Sequence, residues 1–333
     1  MALQSELNSR ISPSDPLLAS ADLPHRAIYF PFGFPAQIET NDRRVIRAAH
    51  RNWSDTRLHF ADTPVVARIL VSKSENAVCP LAPPVYRAQR NLLAITADPE
   101  NFASCDLASG FGAAWVNEAV VEQVEYFRYC FLLGLIGSMI EARHLVSLHA
   151  ACVSMDGQGI LLSGDSGAGK SSLSFACAQR GFTYVSDDCS SIVRRRPGRS
   201  IVGTPGSIRF RESAGKLFGE LEGRQAEVRL NRQPSIEVRT AELGIKTALE
   251  AFVDHIVLLA RADKYGTRAE LVPVSKTEAR ARLHSDVWPQ ELPSTREQHD
   301  AVDRVLEAGT YELRYRDLEP AVERLKLLVR SGQ

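Results

Sequence analysis

Gly164-Asp165-Ser166-Gly167-Ala168-Gly169-Lys170-Ser171 satisfies the pattern G-x-x-x-x-G-K-[ST]. Its three glycines permit backbone turns closed to other residues, so that successive N–H groups can converge on phosphate oxygens. A helix that follows directly adds the positive end of its dipole. In this pattern the lysine reaches the β- and γ-phosphates and the hydroxyl sits on Mg²⁺. The expected nucleotide contacts are therefore Gly164, Asp165, Ser166, Gly167, Ala168, Gly169, Lys170, Ser171 and Ser172. The flanks agree. Gly159-Ile160-Leu161-Leu162-Ser163 is a short apolar run suited to a buried strand, and Ser171 to Arg180 predicts a helix capped at Gly181.

Further out, Leu148 to Val153 predicts a strand and Asp156-Gly157 a hairpin turn into the loop strand. Downstream, Phe182 to Ser186 predicts the next strand, ending in Asp187-Asp188, which begins 17 residues beyond Lys170. In a parallel α/β sheet that strand end shares the loop's edge, where ligands bind. Two adjacent carboxylates there can divide two tasks, one holding a metal and the other accepting a proton from an attacking hydroxyl. His149 lies 21 residues before Lys170 on a mostly apolar strand. Spacing alone reads it as a core residue.

Bulk properties set the frame. The chain has 333 residues, 44% of them hydrophobic and 24% charged, which fits a globular protein of two domains or one large one. Forty basic and forty acidic residues cancel, so the balance points to neither nucleic acid nor an anionic membrane. The cluster Arg194-Arg195-Arg196-Pro197-Gly198-Arg199 reads as a solvated turn. Six cysteines without a C-x-x-C pair fit a reducing compartment, packed as small apolar residues. The most apolar stretch, Tyr129 to Ile140, has 12 residues, too few to span a bilayer. Met1 to Asp22 does not read as a signal peptide. The expected location is cytoplasmic.

Residues 1–24, rich in Ser, Pro and Asp, are expected to be disordered. Residues 25–143 read as a smaller α+β domain of short strands (Ala27 to Phe30, Val65 to Val71, Leu92 to Thr96) with a helix at Asp42 to Asn52. Glu118 to Arg143 has helical spacing, and it is expected to pack between the halves or to open the second one. Residues 144–333 form the domain that carries the loop, with further strands at His255 to Ala260 and Thr310 to Tyr315. Helices are expected at Ser275 to His284 and Glu319 to Leu328.

Taken together, Leu148-His149-Ala150, the loop strand, the G-D-S-G-x-G-K-S loop, Arg180-Gly181 and Ser186-Asp187-Asp188 resemble the catalytic domain of bacterial HPr kinase/phosphorylase. The nucleotide site of that family is in turn similar to that of phosphoenolpyruvate carboxykinase. The resemblance implies an α/β P-loop kinase domain, with ATP and Mg²⁺ as cofactors. Carried over by residue, Asp187 would be the general base, His149 would assist it, Asp188 would support the metal, and Lys170 and Ser171 would keep their loop roles. The family's second signature, a Glu-Ile-Arg-Gly-Leu-Gly-type segment, is absent. Gly203 to Glu212 stands at about its distance, offering Glu212 as a metal ligand and Arg209 or Arg211 as phosphate clamps. That departure points to the divergent relatives that phosphorylate peptides or small hydroxyl compounds, with HPr itself not the expected acceptor.

The sequence thus predicts an ATP-dependent kinase transferring the γ-phosphate to a serine-type hydroxyl of a protein, peptide or small molecule. The rival is a nucleotide-dependent switch. It finds little support, since no Asn-Lys-x-Asp motif is present and no apolar strand ends in a downstream acid. The N-terminal half would recognise the acceptor or hold a homo-oligomer together, and neither nucleic acid nor membrane is an expected partner.

Overall fold

Val65 to Ser72 alternates buried and half-exposed side chains, the period of a strand with one covered face. It is an interior strand of the first of two units that the chain forms, which divide between Arg143 and His144. The computed structural model describes residues 17–73, 77–80, 82–194, 196, 198–228, 234–287 and 294–331. The N-terminal segment expected to be disordered falls mainly on residues 1–16, outside the described residues, and residues 17–20 form a turn. Arg195 and Pro197 of the basic turn also lie outside them.

The first unit begins with β1 (His25–Tyr29), β2 (Ala36–Thr40), α1 (Arg43–Trp53) and β3 (Val65–Ser72). It continues through β4 (Val85–Gln89), β5 (Leu92–Thr96), β6 (Phe102–Asp106) and β7 (Phe111–Asn117). These strands form one sheet in the order β1-β2-β3-β7-β6-β5-β4, parallel at β2–β3 and β3–β7 and antiparallel elsewhere. Asp42 caps α1 by accepting from the Arg44 N–H at 2.7 Å.

The helical stretch that follows differs from expectation. It comprises α2 (Glu118–Glu122), α3 (Val124–Phe127), a π-helix (Arg128–Gly137) and α4 (Ser138–His144), and through Arg143 it belongs to the first unit. The reason is its composition. Phe131, Leu132, Leu135 and Ile136 are fully buried, and a helix apolar on every face must be enclosed. Gly112 on β7 lets it approach, because a Cβ there would lie 2.8 Å from the Leu135 side chain.

The second unit is mixed α/β. Its elements are β8 (Leu145–Leu148), β9 (Ala150–Met155), β10 (Gln158–Ser163), α5 (Lys170–Gln179), β11 (Thr183–Ser186), β12 (Ser190–Val193) and β13 (Ser200–Val202). A small antiparallel sheet follows, made of β14 (Ser207–Arg211), β15 (Glu227–Val228) and β16 (Pro234–Arg239). Next come β17 (Glu250–Arg261), β18 (Glu270–Pro273), α6 (Lys276–Asp286), α7 (Thr295–Val305), β19 (Gly309–Tyr315) and α8 (Leu318–Ser331). The main sheet runs β11-β9-β10-β17-β13-β12-β8, with β19 also paired to β17. It is mixed. β10, β17 and β19 are mutually parallel, while β9 lies antiparallel between β10 and β11.

Alternation along β10 builds two cores. Ile160 and Leu162 join Leu173, Phe175 and Leu325 on one face, while Leu161 joins Leu283, Val302 and Val305 on the other. The β9–β10 turn has positive φ at both Asp156 and Gly157, as a tight two-residue hairpin requires. Burial pushes the Cys105, Cys130 and Cys152 thiols up to about 12, in keeping with apolar packing. Among the described residues no helix is long and apolar enough to cross a membrane.

Candidate functional site

The loop 164–169 leaves β10 at Ser163 and enters α5 at Lys170. Gly167 and Gly169 have φ of +91° and +97°, the left-handed region that favours glycine. Gly169 is the N-cap of α5, and no side chain caps that helix. The first-turn N–H groups are therefore offered to a ligand. A Cβ at Gly164 would lie 2.9 Å from the Ala168 Cβ, and one at Gly169 would lie 2.8 Å from the Tyr315 hydroxyl. The cradle is closed to any other residue at both positions.

Lys170 is buried, 6% exposed. Its ammonium donates to the carbonyls of Gly164 at 2.7 Å and Asp165 at 3.5 Å. Burial lowers its pKa from the ordinary 10.5; of the charges opposing that, Asp188 acts most strongly, then Asp286. A buried cation resting on carbonyls at the foot of a glycine cradle fits a bound phosphate.

His149 does not lie within one strand as expected. It falls at the break between β8, which pairs with β12, and β9, which pairs with β10. The segment 187–189 makes the same kind of step, between β11 and β12. The two breaks coincide at the loop's edge of the sheet, so His149 Nδ1 meets Asp188 Oδ1 at 3.1 Å. The His149 N–H donates to the Asp286 carbonyl at 2.7 Å.

The adjacent aspartates differ sharply. Asp187 is buried, its Oδ1 accepting from the Tyr184 hydroxyl at 2.9 Å and its Oδ2 from the Arg209 N–H at 3.1 Å. Burial raises its pKa above the ordinary 3.8 against those two bonds. Asp188 is half-exposed, and its pKa is lowered, first by the hydrogen bond from His149. Asp187 faces inward and holds β14 to β11. Asp188 faces the loop.

Three residues without a sequence signal complete the surroundings. Arg282 on α6 donates to Asp165 at 2.7 Å. Asp286, one turn on, accepts from the Ser163 hydroxyl at the base of the loop, and burial raises its pKa. Tyr315, at the end of β19, donates to the Ala168 carbonyl at 2.8 Å. Of the residues the sequence offered after the Asp pair, Arg211 reaches the loop, donating to Ser166 at 2.8 Å. The Arg209 guanidinium lies 3.6 Å from Glu237. Glu212 is exposed at the start of a 3-10 turn, and no contact among the described residues brings it to Ser171 or Asp188. Nor do the described residues contain a cluster of three or more His, Cys, Asp or Glu side chains able to cage a metal. A hydroxyl beside a phosphate cradle fits Mg²⁺, which keeps waters and takes phosphate oxygens rather than filling an all-protein cage.

Residues 142–211 match the family model described as the HPr Serine kinase C-terminal domain. That segment contains His149, the whole loop, Lys170, both aspartates and Arg211. Among solved structures, the chain is similar to the HPr(Ser) kinase/phosphatase from Coxiella burnetii at 16% identity, over 56% of this chain and 95% of that one, with a TM-score of 0.28. A likeness that loose fixes neither topology nor site. No curated protein sequence matches the chain.

Proposed function

From its relationship to HPr kinases over residues 142–211, we propose that this chain is a phosphotransferase moving the γ-phosphate of ATP to a serine-type hydroxyl of a protein, peptide or small molecule. One observation carries the reading: the half-exposed Asp188, 3.1 Å from His149, follows β11 at the same sheet edge where the buried Lys170 rests on the loop carbonyl of Gly164. A proton acceptor and a phosphate-binding cation thus share one edge of the sheet.

The loop amides and Lys170 hold and neutralise the phosphate chain, and Ser171 would be the protein's own oxygen donor to Mg²⁺. When bound, that ion would supply further charge neutralisation. Asp188 accepts the proton of the attacking hydroxyl, and His149 fixes the carboxylate through Nδ1 and keeps it ionised. We assign Asp187 no proton step, because it is buried and each of its oxygens already accepts a bond from the fold. This exchanges the roles that the resemblance implies for the two aspartates and leaves Glu212 outside the site. Positioning and electrostatics lower the barrier, as phosphoryl transfer generally requires.

The test is ³¹P NMR of the protein with Mg·ATP and serine-containing peptides or fractionated cell extract. A new phosphoester resonance supports the kinase. ADP and inorganic phosphate alone would move the reading to a nucleotide-driven switch.

A further inference from the structure

A shallow groove lies on the other flank of the loop, lined by Arg261, Ala262, Asp263, Arg316 and Asp317. Its place follows from strand register. Ser163, the last residue of β10, is level with Leu258, so β17 runs three residues further, to Arg261, and β19 keeps pace to Tyr315. At about 3.3 Å per residue this makes a wall roughly 10 Å tall beside the loop. Leu259 abuts Gly164, and the Arg261 guanidinium lies 3.6 Å from the position of a Gly169 Cβ. Arg261 Nε donates to the Arg316 carbonyl at 3.1 Å, and its guanidinium lies over the Tyr315 ring. Arg316 pairs with Asp317 at 2.9 Å.

The loop thus has two unlike flanks at one edge. Toward β9 and β11 stand His149 and Asp188. Toward β17 and β19 stand two guanidinium groups and two carboxylates. From β11 to β19 the edge crosses four strand gaps, roughly 19 Å. A nucleotide laid along it with its transferring end at Asp188 must send its other end toward Arg261 and Arg316. The chemistry there suits that end, since planar guanidinium groups stack on a base and carboxylates accept from vicinal hydroxyls.

Resting on the kinase reading above, we propose that this groove is the nucleoside subsite, with Arg261 and Arg316 against the base and Asp263 and Asp317 toward the ribose hydroxyls. It accounts for selection of a nucleotide over a bare polyphosphate.

The test compares magnesium complexes of ATP and inorganic tripolyphosphate by isothermal titration calorimetry, in wild type and in the double variant Asp263→Ala/Arg316→Ala. The double variant keeps the net charge, and it keeps the Arg316 carbonyl that anchors Arg261. Wild type should bind ATP at least tenfold tighter than tripolyphosphate. The variant should lose about tenfold for ATP and stay within twofold for tripolyphosphate. Unchanged ATP affinity, equal loss for both ligands, or no preference in wild type overturns the nucleoside subsite and leaves the kinase reading standing. If wild type binds neither ligand, both fall.

Discussion

The two flanks of the glycine loop are built from different sequence distances. The Asp188–His149 flank comes from residues within about forty positions of one another, all inside the segment that matches the HPr kinase family model. The Arg261–Arg316 flank lies wholly outside that segment and is assembled by two parallel strands running past the loop. A chemical step needs a few side chains held at fixed spacing, and local turns can fix that spacing. Selection of a ligand's far end needs only a wall at the right height, which many sequences can supply.

The sharpest test of the first flank is Lys170→Ala. Removing a buried cation from the cradle should cost about 3 kcal/mol in transition-state binding, roughly a hundredfold in kcat/KM, and should weaken ATP binding as well. Steady-state kinetics with calorimetry would show both losses. If ATP affinity stayed at the wild-type value, the loop would not be the phosphate site.

Next come the two aspartates. Asp187→Asn should lower the unfolding free energy by about 1–3 kcal/mol, because an amide cannot accept from both Tyr184 and Arg209 without presenting a donor to one of them. Denaturant titration measures this, and transfer per folded molecule should largely survive. An Asp187→Asn protein as stable as wild type would contradict the inward, structural role.

The pH response of stability separates the same pair. Asp188 has its folded pKa depressed below the ordinary 3.8. Its contribution is therefore present above the unfolded value and lost as pH falls through the folded one. Asp187 has its folded pKa raised, so the unfolded state releases its proton first. Stability then falls as pH rises from 3.8 through the folded pKa. Asp188→Asn should flatten the loss of stability below about pH 4, whereas Asp187→Asn should remove a loss on the way up. Thermal melts across pH 2.5–6 would read both signs; identical profiles for the two variants would erase the distinction. The smallest effect is expected for Arg211→Ala, whose partly solvated bond to Ser166 should be worth about 1 kcal/mol or less in ATP binding.

Much of this was legible in the sequence where local chemistry decides. The loop, its helix, the hairpin at Asp156-Gly157 and the strand ending in the Asp pair all stand close to where pattern places them. His149 was harder to read. A strand of Leu, His and Ala gives no sign that it breaks and changes partners at the histidine, since the break is imposed by pairing with β12 on one side and β10 on the other. Nor can adjacency show which aspartate faces inward. That is decided by the Tyr184 hydroxyl and the Arg209 N–H, the latter arriving from another strand. Arg282 and Asp286 reach the loop from more than a hundred residues downstream. On their own helix they resemble an ordinary i, i+4 ion pair.

In the proposed mechanism Asp188 with His149 handles the proton while Asp187 holds the fold. Phosphoester formation, followed by ³¹P NMR for wild type, Asp188→Asn and Asp187→Asn at equal concentrations of folded protein, tests it most directly. Asp188→Asn should lose about 10²–10⁴-fold in transfer rate with ATP affinity unchanged within about twofold, and Asp187→Asn should retain most of the rate. Loss of transfer in Asp187→Asn with a wild-type rate in Asp188→Asn would contradict it.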